Sequence, residues 1–278
     1  MIQVIKKDEA LIAEMDAKLP DAAHFYLWWL GQSGYLLQWN NKRILIDPYL
    51  SDSLTKKYST TDKPHVRMSE IVVKPELLKN ISIITSSHNH TDHLDAGTLI
   101  PVLNNNPAAK FLIPEANRDF VAERMHVDKN YFIGLNDNKS VMIDGFTFHG
   151  IPAKHNEIER DEHGRCKFMG YVIEFGPYKI YHSGDTLWFD EMIDLLRPFN
   201  IDVSLLPING NDPARRVAGN LNCVEAVALA KAIHAKYVIP CHYDMFVFNT
   251  ADVDDFVREA EKKHQSYRVL RGGEYFSA

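Results

Sequence analysis

Three imidazoles and a carboxylate fall within six consecutive residues, His88-Asn89-His90-Thr91-Asp92-His93. Imidazole nitrogen and carboxylate oxygen hold zinc and similar divalent ions at about 2.0–2.2 Å, so the chemistry of this run is metal coordination. Side chains only a few residues apart cannot surround two ions, and further donors must come from distant parts of the chain. The sequence supplies them in order: His155 after an apolar run ending at Ile151, Asp185 in His-Ser-Gly-Asp-Thr, and His242 after a run ending at Pro240. Each lies just past the carboxyl end of a predicted strand, where α/β sheets place ligands. His149 and His182 fall inside strand patterns and read as packing or supporting groups. His24, His65, His126, His163, His234 and His264 have no spacing partner and read mostly as surface residues. Two ions about 3.5–4 Å apart can activate a water and present hydroxide to a carbonyl or phosphorus centre, which makes hydrolysis of polar esters, lactones, amides or phosphodiesters the reaction class. Thiol chemistry lacks support, because no separate His and carboxylate pair remains to activate Cys241.

Donors so far apart in sequence need a rigid frame. With 278 residues, 45% of them hydrophobic and 24% charged, the chain has the composition of a folded globular protein rather than a disordered one. Strands are predicted over 25–30, 35–39 and 43–46, then 81–85, which runs straight into the histidine cluster. Helix and strand signals interleave afterwards: helices at 95–103, 115–123, 189–196, 223–234 and 253–263, and strands at 111–113, 141–151, 170–175, 179–182, 203–207 and 237–240. Residues 51–80 read as a long loop with a short helix near 74–78. An amphipathic helix over 5–18, ended by Pro20, is expected as an appendage to a single domain spanning 1–278.

Charge and leader signals narrow the setting. The 31 Lys and Arg against 37 Asp and Glu give a net charge of -6, which argues against nucleic-acid binding by bulk charge. Lys6, Lys7, Asp8 and Glu9 stand where a signal peptide would need its apolar run, and the apolar stretch 25–30 is far short of a membrane span. Three widely spaced cysteines suit a reducing compartment. The expectation is a soluble, cytoplasmic protein with a small-molecule substrate and neither a nucleic-acid nor a membrane partner, homo-oligomers remaining open.

The order HxHxDH, lone His, Gly-Asp, final His resembles the metallo-β-lactamase superfamily, from about Phe25 to the C-terminus. The resemblance implies an αββα sandwich, a layered α/β fold. It implies one ion on His88, His90 and His155, a second on Asp92, His93 and His242, and Asp185 bridging both. It gives Asp92 and Asp185 catalytic roles, and makes Asp47, in Ile-Leu-Ile-Asp-Pro, a support for a ligand rather than a ligand itself. The cofactors implied are two divalent ions, zinc or manganese, with iron not excluded by the donors. The stretches WWLGQSGYLL, IDPYLSDS, YHSGDT, LPINGND, GNLNCVEA and IPCHYDMF resemble the branch containing L-ascorbate-6-phosphate lactonase. The implied activity is metal-dependent hydrolysis of a small polar lactone or ester, phosphorylated or not.

A phosphorylated substrate needs local positive charge, for which Arg215, Arg216, Asn220 and Asn222 are the candidates, against the alternative of a solvated loop. The charged excursion 156–168 reads as either a lid or a hydrated hairpin. Two other functions compete: a metal-dependent phosphodiesterase using the same attack on phosphorus, and a non-catalytic metabolite-binding protein, which would usually lack some of the seven donors.

Overall fold

The layering follows from alternation along the first strand. In β1 (Phe25–Gly31), Phe25, Leu27 and Trp29 enter one apolar core while Trp28 and Leu30 enter another. Successive side chains of a strand point to opposite faces, so a strand with both faces apolar must be covered on both sides. The same division holds along β3 (Lys42–Ile46), where Ile44 and Ile46 face the first core and Leu45 the second.

The computed structural model describes residues 1–18 and 21–278. After β1 come β2 (Gly34–Trp39), β3, β4 (Ile83–Thr85), β5 (Lys110–Pro114) and β6 (Phe132–Leu135). β7 (Ser140–Ile143), β8 (Phe146–Pro152), β9 (Met169–Phe175), β10 (Tyr178–His182), β11 (Val203–Pro207), β12 (Tyr237–Cys241) and β13 (Tyr275–Ser277) follow. One sheet has the order β13-β1-β2-β3-β4-β5-β6 and the other β12-β11-β10-β9-β8-β7. The first core lies between them. Helices α1 (Asp8–Ala17), α3 (Ala96–Asn105) and α4 (Arg118–Met125) cover the outer face of the first sheet through Leu11, Met15, Leu99, Val102, Val121 and Met125, after a short α2 (Ser53–Lys57) in the long loop. A five-residue α5 (Met192–Leu196) precedes β11; α6 (Cys223–Ala232) packs on β11 and β12, and α7 (Val253–Lys262) packs on α6. This is the αββα sandwich.

Strand direction gathers the site. β3, β4 and β5 are mutually parallel, as are β10, β11 and β12. Tyr35 pairs with Ile46, so the turn between β1 and β2 lies at the end of the sheet where β3 finishes.

Several expectations need correction. Residues 132–135 and 275–277 form strands, and the segment 141–151 is two antiparallel strands joined at Asp144-Gly145, both at positive φ (51° and 90°) as a two-residue hairpin turn requires. Residues 115–117 form a 3-10 turn before α4, and the helix expected over 189–196 starts only at Met192. The N-terminal helix is not an appendage: Leu11 and Met15 are fully buried, and Asp16 pairs with Arg43 at 2.6 Å. The stop assigned to Pro20 lies outside the described residues. Among the described residues, no helix is long and apolar enough to cross a membrane.

Candidate metal centre

Each donor is placed by the backbone just beyond a strand. After β4 the chain turns tightly, with the N–H groups of His93 and Leu94 donating to the carbonyl of His90 at 3.1 and 2.8 Å. Asp95 ends this turn by capping α3: it accepts from the Gly97 N–H at 3.2 Å and the Thr98 hydroxyl at 2.5 Å, which fixes where the motif stops and the helix begins. Asp185 follows Gly184, whose φ is +58°; a Cβ there would meet Ser87 Cβ at 2.6 Å, so only glycine lets the loop after β10 lie against the histidine loop. Asp47, Gln32 and His242 have φ of +40°, +52° and +63°, a strained region for side-chain-bearing residues that clusters at functional sites.

The seven donors form two adjoining groups. His88, His90 and His155 have ligand atoms within 4.8 Å of one another, as do Asp92, His93, Asp185 and His242. Asp185 lies between them: Oδ1 is 3.2 Å from His93 Nε2, and Oδ2 is 3.4 Å from His242 Nε2 and 4.0 Å from His155 Nε2. His88 Nε2, His93 Nε2 and Asp185 Oδ1 are buried and have no hydrogen-bond partner in the protein. Buried polar atoms left unmatched are costly, and atoms of these types facing one another suit a cation. The residues therefore fit a pair of metal ions.

The opposite ring nitrogens are held by other groups. Asp47, fully buried, takes His93 Nδ1 at 2.8 Å and the Ser87 N–H at 3.0 Å. Ser87 Oγ lies 3.0 Å from His88 Nδ1, and the Gly219 carbonyl 3.2 Å from His155 Nδ1. Such partners fix ring orientation and the nitrogen left for a ligand role. Asp47 was legible as a supporting group; Ser87 was not, and its only sequence signal is its place immediately before His88.

The two groups differ in charge. Burial pushes His155 down to about 4 and His88 well below the usual histidine range, so both are neutral at pH 7. Burial also disfavours charge on His242 and His93, but the Asp185 and Asp92 carboxylates outweigh it, lifting His242 to about 9 and His93 well above its ordinary value. Burial alone would raise Asp92 and Asp185, and the adjacent His93 and His242 hold both below the usual carboxylate range. Cys241 is buried and its thiol pushed up, in keeping with an inert role.

A cavity of about 360 Å³ opens over His90, Asp92, His155, Asp185 and His242. Its wall holds residues that spacing did not reveal. His65 is stacked on Tyr58 at 4.2 Å and edged by Phe248 at 4.6 Å, with Nδ1 3.0 Å from the Lys63 carbonyl. Arg124 donates to the carbonyls of Asn89 (2.6 Å) and Leu94 (3.2 Å), while Lys57 projects over Tyr58. Phe168 covers the all-histidine group, 5.1 Å from the His88 ring and 5.2 Å from that of His155. The excursion before Phe168 is pinned by Arg160–Asp137 at 2.8 Å and Arg165–Asp161 at 2.6 Å.

The anion-binding expectation for 215–222 is corrected. Arg215 donates to the Asn209 carbonyl at 2.6 Å and Asn249 Oδ1 at 3.1 Å, and Arg216 pairs with Asp62. Asn222 caps α6 in a reciprocal box with Glu225, and Asn220 is buried, donating to Asn209 Oδ1 at 3.1 Å. None of the four lines the cavity, whereas their neighbours Val217 and Ala218 do.

Comparison with known proteins agrees with this geometry. Residues 42–243 match the family model described as the beta-lactamase superfamily domain. A UPF0173 metal-dependent hydrolase of Saccharolobus solfataricus is 28% identical over 249 residues, covering 89% of this chain and 97% of that protein. One from Archaeoglobus fulgidus is 30% identical over 257 residues, covering 89% and 96%. The solved metallo hydrolase Igni18 of Ignicoccus hospitalis superposes with a TM-score of 0.68 at 22% identity, covering 92% of this chain and 98% of the other, a likeness of fold.

Proposed function

This chain belongs to the beta-lactamase superfamily domain family, and from that premise we propose that it is a metal-dependent hydrolase of a small polar ester or lactone, with two divalent ions, zinc or manganese, held by seven side chains. One observation carries the reading: two donor groups share Asp185, whose carboxylate lies 3.2 Å from His93 Nε2 and 4.0 Å from His155 Nε2, while the buried His88 Nε2 beside them has no hydrogen-bond partner in the protein. His88, His90 and His155 would hold one ion, and Asp92, His93 and His242 the other, with Asp185 common to both. Ions so placed supply a Lewis acid and an activated water.

The chain's own groups account for the remaining requirements. Asp185 ties the two groups together, and Asp92, half-buried on the cavity wall, is the carboxylate that faces a bound substrate. Among the described residues, neither Lys57 nor Arg124 has a carboxylate within ion-pair distance, and both line the cavity. These two cations without a carboxylate partner, Arg124 with one Nη already engaged by the Asn89 and Leu94 carbonyls, support a substrate bearing an anionic substituent such as a phosphate, a task the sequence offered to Arg215 and Arg216. The metal-dependent hydrolase names of the archaeal relatives support the reaction class.

The test is elemental analysis of purified protein, joined to a screen of lactones, esters and phosphodiesters with and without chelator. Chelator-sensitive turnover of a lactone or ester is expected. Turnover confined to phosphodiesters would replace the substrate class, and metal-loaded protein inert to all three would contradict the enzymatic reading.

A further inference from the structure

Gln32 sits in the turn between β1 and β2, and four observations set it apart from an ordinary turn residue. The pairing of β1 with β2 shifts register between Trp29 and Gly31, an irregularity of the kind that re-aims a side chain beside a site. Gln32 is 1% exposed despite lying in a turn, and its φ of +52° is costly for a residue with a side chain. Its carbonyl is held twice, accepting from Trp29 Nε1 and from the His242 N–H, each at 3.0 Å. Its side-chain Nε2 lies 2.8 Å from Asp92 Oδ2 and 2.9 Å from His242 Nε2, while its Oε1 is buried without a partner.

We infer that Gln32 is a positioning residue for the second metal group: its amide N–H sets the Asp92 carboxylate in place to receive an ion. This rests on reading the seven donors as two metal sites. His93 is held by Asp47, His88 by Ser87 and His155 by the Gly219 carbonyl. Among the described residues, the hydrogen bond that the Asp92 side chain accepts comes from Gln32. A carboxylate oxygen has more than one lone pair, so it can keep the Gln32 bond while binding a cation. Gln32 therefore holds the Asp92 carboxylate in both states. Its bent, strained backbone places the amide between ligands from two different loops.

The experiment is zinc binding to the metal-stripped, full-length protein, measured by competition with a chromophoric chelator, for the parent, Gln32→Met and Gln32→Asn. Met keeps the length and loses the amide; Asn tolerates the left-handed backbone but falls a methylene short. Both should bind the tighter zinc as the parent does and the second about 10- to 100-fold more weakly, the loss typical of removing a ligand's outer partner. In an Asp92→Ala background, Gln32→Met should change zinc affinity less than about threefold, because the two residues act as a unit. Melting curves without metal identify a variant that has lost its fold, in which case the other variant decides. Parental affinity for both ions in a folded variant, equal weakening of both, or a full further loss in the Asp92→Ala background would overturn the inference. A parent that binds a single zinc would instead overturn the two-site reading.

Discussion

The two donor groups lie side by side yet solve opposite electrostatic problems. His88, His90 and His155 form an all-imidazole group under the ring of Phe168, and burial keeps His88 and His155 neutral at pH 7. Asp92, His93, Asp185 and His242 combine acids with bases, and in the metal-stripped protein the carboxylates hold protons on His93 and His242. A cation entering the first group meets lone pairs that are already free, whereas one entering the second must displace protons. The difference teaches that neighbouring donor groups can be readied for a cation under separate rules, with Asp185 within 4.0 Å of donors from both.

The largest expected effect comes from removing that coupling. Asp185→Ala should lower kcat by on the order of 10³-fold and cut metal content, with the fold retained, because the core does not depend on this carboxylate. Turnover near the parent's, at normal metal content, would show that the groups act independently. Asp47→Asn weighs mainly on the second group: its charged support of His93 at 2.8 Å is lost, and second-ion affinity should fall about 10- to 100-fold by equilibrium titration, with a smaller loss at the first ion, which Asp47 reaches only through Ser87 and His88. An equal drop for both ions would erase the distinction.

The donors were legible because metal binding needs few residue types, and because each stands just beyond an apolar strand run. Gln32, His65 and Arg124 were not, since a turn glutamine, a loop histidine and a helix-end arginine have many local uses, and only tertiary packing brings them to one cavity. The four polar residues of 215–222 lie off the cavity for the converse reason: side chains that spacing offered to a ligand are engaged by nearby backbone, caps and Asp62. Asn222 and Glu225, three apart before an apolar helix, are a capping signature visible in the sequence itself. Strands β6 and β13 escaped notice because they are four- and three-residue edge strands, stabilised by partners far away in sequence.

A smaller effect should appear in the metal-stripped protein as pH changes. His242, raised to about 9 from an ordinary 6.5, contributes stability that is complete below pH 6.5 and lost as pH rises through about 9. His155, lowered to about 4, contributes stability that is present above pH 6.5 and lost as pH falls toward 4. Melting temperatures of the parent and His242→Gln should therefore converge on raising the pH from 6.5 to 9, and those of the parent and His155→Gln on lowering it from 6.5 to 4; gaps that stay constant would dismiss the electrostatic contrast. The smallest effect belongs to Arg216→Ala, which removes an exposed pairing with Asp62 outside the cavity and should leave KM for a phosphorylated ester within about twofold. Arg124→Ala should raise the same KM by about tenfold or more, and the reverse ranking would restore the anion site to the 215–222 segment.

The central claim, two coupled but unlike metal groups on seven side chains, is tested most directly by calorimetric titration of the metal-stripped protein with zinc at pH 7.5 in buffers of different ionisation enthalpy. Two ions per chain are expected, with the dependence on buffer ionisation, and hence the proton release, confined to the ion bound by Asp92, His93 and His242. Saturation at a single ion, or two ions releasing equal numbers of protons, would contradict that claim.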